Sequence, residues 1–106
     1  MKDHPLVAIE RCDTYQPDEL DRVIERVCTS AAIPDVQGKR ILLKPNILSD
    51  AAPQHAVTTR AELLGSLIRF LYRKGADEIL VGDSPGIHGP GFHPRSSGIE
   101  EVCTQE

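Results

Sequence analysis

Short apolar runs alternate with helical stripes along this chain, and that order admits few folds. Leu6-Val7-Ala8-Ile9, Ile41-Leu42-Leu43 and Ile79-Leu80-Val81 are too short for helices and show no polar alternation. Runs of this kind fit strands buried on both faces, as in parallel sheets. After the first run, Pro17 opens a helix, with Asp18 and Glu19 suiting the positive end of its dipole. Leu20, Val23, Ile24, Val27, Cys28 and Ala31 then fall on one helical face, and Pro34 and Gly38 mark the turn out. After the second run, Thr59-Arg60-Ala61-Glu62 fits a capping box with Thr59 as N-cap. Leu63, Leu64, Leu67, Ile68 and Leu71 make the apolar face of the helix that follows, and Gly75 ends it. Beyond the third run, Ser97-Gly98-Ile99-Glu100 repeats the capping pattern, and Ile99, Val102 and Cys103 begin another stripe.

The order β-α-β-α-β-α predicts an α/β fold: a small, Rossmann-like parallel sheet with helices in two or three layers. One domain over residues 1–106 is expected. The stripe that starts at Ile99 is unfinished at Glu106, so the chain reads as the N-terminal part of a larger domain. Its open sheet edge then calls for further strands or for a second copy, giving a homodimer.

Composition removes several function classes. The net charge is −4 and no basic stripe occurs, which argues against nucleic acid. No apolar run approaches the ~20 residues of a membrane helix. The Met-Lys-Asp-His-Pro start lacks the apolar core of a secretory signal, so a cytoplasmic location is expected. With two Tyr, two Phe and no Trp, the core is expected to be aliphatic. Cys12, Cys28 and Cys103 form no ligand-spaced set. Cys28 and Cys103 read as buried small hydrophobes on helix faces, whereas Cys12 follows the first run and could reach the sheet edge.

Two of the runs end in polar clusters. Lys44-Pro45-Asn46 follows the second, and Gly82-Asp83-Ser84-Pro85-Gly86 follows the third. In a parallel sheet both lie at the carboxyl edge, where ligands bind. Arg11-Cys12-Asp13 reaches the same edge after the first run, as does the helix start at Thr58-Thr59, whose N–H groups favour an anion. The ligand-binding set is therefore Lys44, Asn46, Thr58, Thr59, Ser84 and Gly86. Asp83 is the candidate acid/base, or a metal ligand together with His88 from the 84–95 loop. His55 and His93 lie in the two loops as well. Plainer roles stand beside these: Lys44 as a solvated strand-end lysine, Asn46 and Asp83 as turn residues, Thr59 as a helix cap, and the histidines as loop surface. Gly-Asp-Ser-Pro-Gly has the spacing of a nucleophile elbow. Pro85, however, removes the N–H that would build the oxyanion hole and disfavours the helix that should follow. Neither a Walker loop nor a dinucleotide fingerprint is present.

Lys44-Pro45-Asn46, Thr58-Thr59, Lys74-Gly75-Ala76 and Val81-Gly82-Asp83-Ser84-Pro85-Gly86, in that order, resemble the domain-of-unknown-function 362 family of bacteria and archaea. The likeness runs from Leu6 to Gly98. It implies the fold and the motif positions, with no settled activity to carry over. Some members add a ferredoxin-type iron–sulfur module, so a cluster in the full-length protein and a redox association are implied, but no cluster ligand set occurs in this chain. Two functions remain open. One is part of an enzyme that holds a small anion at the strand ends beneath the Gly-rich 84–95 loop as a lid. The other is a non-catalytic binding or interaction domain.

Overall fold

The structure, a computed structural model, describes residues 4–46, 59–82 and 99–106. Five elements follow in order: α1 (Pro17–Ser30), β1 (Arg40–Leu43), α2 (Ala61–Arg73), β2 (Glu78–Val81) and α3 (Ile99–Gln105). β1 and β2 pair in parallel, with Ile41 opposite Ile79 and Leu43 opposite Val81. The α/β character therefore stands, with the second and third apolar runs as neighbouring strands and α2 between them in sequence.

Pleating splits the strands into two faces. Ile41, Leu43, Ile79 and Val81 turn towards the helices and join their apolar clusters. Leu42 and Leu80, also opposite one another, stay exposed. α2 is the hub. Phe70 and Leu71 meet Ile24 and Cys28 of α1 over Ile41, Leu43 and Ile79. Its earlier turns, through Ala61, Leu64 and Ile68, meet Val102 of α3. Gly65 lets α3 come close, because a Cβ there would sit 3.2 Å from Val102 Cγ1.

The sequence expectations need correcting at four points. Leu6–Ile9 forms no strand: Val7 is 80% and Ile9 87% exposed, and the sheet of the described residues has two strands. The β-α-β-α-β-α order is therefore not what the described residues form. An apolar run becomes a strand only where a neighbour takes up its backbone groups, and here none does. The core is not purely aliphatic, since Phe70, 2% exposed, is the largest fully buried side chain. Cys28 packs on the core as expected, but Cys103 is exposed. Thr59 is not the N-cap of α2; Arg60 holds that position without a side-chain cap bond.

One polar cluster ties the three helices together. The Ser66 hydroxyl, fully buried, donates to Asp21 Oδ1 at 2.6 Å. Arg69 Nη2 donates to the same oxygen at 2.8 Å, and Arg69 Nη1 reaches Glu106 Oε2 at 3.0 Å. Asp21 is thus held by α2, and Arg69 extends the link to the residue that follows α3.

Both long helices end in a Schellman motif. In α2, Gly75 N–H donates to Tyr72 O and Ala76 N–H to Leu71 O, with Gly75 at φ +96°. In α1, Ala32 N–H donates to Thr29 O and Ile33 N–H to Cys28 O, with Ala32 at φ 54°. The left-handed position holds glycine in one helix and alanine in the other, and these two residues have opposite preferences there. Gly75→Ala is expected to lose about 1–2 kcal/mol; its Cβ would also stand 3.1 Å from Gln37 Cγ. Ala32→Gly is expected to gain about 0.5–1 kcal/mol, reduced by the looser unfolded chain. Urea titration of both variants checks the pair. Shifts of the same sign would remove the strain argument.

Candidate functional site

The carboxyl edge is assembled by backbone bonds. Gly82 N–H donates to Leu43 O at 3.0 Å, carrying the β1–β2 ladder one residue past the end of β2. Lys44 follows Leu43, so Lys44 and Gly82 leave adjacent strands side by side. Three residues on, Asn46 and Thr59 exchange two bonds. Asn46 N–H donates to Thr59 Oγ1 at 3.1 Å, and Thr59 N–H donates to Asn46 O at 2.8 Å. This clasp pins the end of the Lys44-Pro45-Asn46 segment to the entrance of α2.

The clasp also explains the missing cap. A capping-box threonine turns its oxygen inward to the helix N–H groups. Thr59 spends its oxygen on Asn46 instead, and the helix begins one residue later, behind Arg60. The first N–H groups of α2 therefore have no side-chain cap at the N-cap position, and they lie at the edge that Lys44 occupies. Lys44 and Asn46 are exposed, and Thr59 is half-buried.

Sequence reasoning overlooked two residues here. Arg60 stacks its guanidinium 4.4 Å from the Tyr15 ring centroid and pairs with Glu62, with Nη2–Oε2 at 2.9 Å. Tyr15 comes from the segment just before α1, so that segment also meets the entrance of α2. The only sequence signal was a second strong cation near Lys44, hidden because residue 60 was counted inside the capping box.

Of the expected site residues, Asn46 and Thr59 are in contact, and Lys44 lies two residues before Asn46. Thr58, Asp83, Ser84, Gly86 and His88, along with the 84–95 loop, lie outside the described residues. Among the described residues no group of three or more His, Cys, Asp or Glu is arranged to hold a metal ion, and no helix is long and apolar enough to cross a membrane. Cys12, half-buried, contacts Thr14 O at 3.2 Å through its sulfur. A depression of about 290 Å³ lies elsewhere, between the C-terminal ends of α1 and α2, lined by Cys28, Ile33, Val36, Phe70 and Lys74 among others. The strands start at that end of the sheet, because Gly38 N–H bonds Gly75 O and Asp77 N–H bonds Lys39 O. It is therefore remote from the carboxyl edge.

The family model described as Domain of unknown function (DUF362) matches residues 41–106, which takes in β1 from Ile41 on, β2, α2, α3 and every polar motif after residue 40. The chain belongs to the DUF362 family. The match begins inside β1, so the clasp and the strand-end clusters of this DUF362 chain fall within it, while α1 and Leu6–Ile9 precede it. No curated protein and no solved structure matches the chain.

Proposed function

We propose that this DUF362 chain binds a small anion, a phosphate or carboxylate group, at the carboxyl edge of its sheet. The observation that supports this reading is the Asn46–Thr59 clasp, which ties the strand-end segment that carries Lys44 to the start of α2, where the N-cap residue Arg60 makes no side-chain cap bond. A lysine ammonium beside uncapped helix N–H groups is a strong setting for negative charge. Arg60 stands at the same helix start, its guanidinium held against Tyr15 and paired with Glu62. Asp83, next after Gly82, is positioned by sequence to act on the bound group as acid/base or, with His88, through a metal. The catalytic form of the proposal rests on these two residues; without their participation the same anion seat serves a binding domain.

Thermal unfolding with inorganic phosphate tests the reading. Saturation to 100 times Kd should stabilise the chain by about 2.7 kcal/mol, a rise of roughly 10 °C or more for a domain of this size. Lys44→Ala should weaken phosphate binding at least tenfold, read as a smaller phosphate-induced shift measured from each protein's own ligand-free Tm. Equal phosphate-induced shifts in the two proteins would sink the proposal.

A further inference from the structure

Leu6-Val7-Ala8-Ile9 is an apolar run left outside the core. Leu6 is 57% exposed, and Val7 and Ile9 more so. Among the described residues, no backbone–backbone hydrogen bond involves residues 5–13. Glu10 just beyond the run pairs with Arg26 of α1 at 2.9 Å, a partly exposed contact that sets the end of the run beside that helix. A second surface is equally incomplete. β1 pairs with β2 along one edge, and its other edge has no strand among the described residues. That edge ends a sheet whose Leu42 is 67% exposed.

The topology relates these two surfaces. α1 and α2 pack on the same sheet face, since Ile24 and Cys28 share one apolar cluster with Phe70, Leu71, Ile41, Leu43 and Ile79. Right-handed crossovers over one face advance the strands in one direction. A strand preceding α1 therefore belongs at the edge of β1 away from β2. The run and β1 each span four residues, so they match in length. In the single chain the run stays off that edge. Two chains can satisfy both surfaces by exchange, a low-cost route to dimers when an element lies loose in each copy.

We propose that the protein forms a homodimer in which each copy's Leu6–Ile9 adds as a third, parallel strand to the outer edge of β1 in the other copy. Main-chain bonds supply the attachment, as in other strand additions. Alternate side chains of the run join the covered face beside Ile41 and Leu43. Because the added strand is parallel, it delivers the second copy's Arg11 and Asp13 to the carboxyl edge that carries Lys44. Each anion seat would then be built from both chains.

Light scattering after size exclusion, combined with amide hydrogen exchange across a dilution series, tests this. The expected result is twice the chain mass at high concentration, with protected amides in 6–9 and 40–43. On dilution, the mass should fall and protection of 6–9 should disappear. Val7→Asp/Ile9→Asp should be monomeric with unchanged helical circular dichroism, since both side chains are exposed in the single chain. A monomer at every concentration overturns the proposal, and so does a dimer that survives the double substitution. A monomer with protected 6–9 amides also overturns it, in favour of closure onto the chain's own sheet. None of these readouts uses phosphate, so failure here and failure of the anion seat are separable.

Discussion

Phe70→Ala should remove about 3–5 kcal/mol of stability. The ring is 2% exposed and stands where Ile24 of α1, Val36 and the strand residues Ile41 and Ile79 converge on α2. No other aromatic ring is buried among the described residues, so no neighbour of similar size can swing in to fill the space. Small cores have little reserve: total stabilities are about 5–15 kcal/mol, and a domain of this length buries a modest share of its surface. The variant should therefore melt at least about 12 °C lower. Phe70→Leu should lose much less, about 1–2 kcal/mol, because most of the volume is kept. Denaturant titration of both checks the ordering. If alanine costs no more than leucine, Phe70 is not the anchor of the α1–α2 contact.

Asp21→Asn should cost about 1–3 kcal/mol at neutral pH, and the cost should be pH-dependent. The Arg69 guanidinium bonded to Asp21, helped by the Ser66 hydroxyl and opposed by partial burial, holds the carboxyl below its ordinary 3.8. A carboxyl that is more acidic when folded binds fewer protons in the native state than in the unfolded one. Its stabilisation is complete above the unfolded value and fades as pH falls through the lower folded value. The wild-type and Asp21→Asn proteins should thus differ most at neutral pH and converge only below about pH 4. Arg69 also holds Glu106, so loss of the Asp21 carboxylate should speed amide exchange in α3 as well as in α1. A difference that persists unchanged into acid would assign the cost to packing rather than to charge.

Periodicity made the helices legible. The stripe from Leu20 to Ala31 has its first members, Leu20, Val23 and Ile24, buried and its last half-buried, and Pro17 and Gly75 mark the ends they were expected to mark. Position along the stripe did not reveal weight. Phe70 lies one residue off the predicted face of α2, yet it is the most buried large side chain, because a ring reaches across to α1 where an aliphatic chain would not. Ser66, 0% exposed, is outside the apolar set read for that helix, and its partner Asp21 is remote in the chain. The run at Leu6 looked like the runs at Ile41 and Ile79, because strand-forming residues are recognisable but their pairing partners are not. Within the site, adjacency of Lys44 to the start of α2 followed from topology alone. The shift of the cap from Thr59 to Arg60 did not, since it depends on a backbone N–H at Asn46 competing for the threonine oxygen.

The clasp between Asn46 and Thr59 has a bearing on how such a chain can change. It joins two positions 13 residues apart in the chain by bonds in which each residue's main chain takes part. Doubling the length of a closed segment adds only about 0.6 kcal/mol of closure entropy. The attachment of the β1 exit to the entrance of α2 thus depends on two positions, Asn46 and Thr59, and on main-chain groups at both.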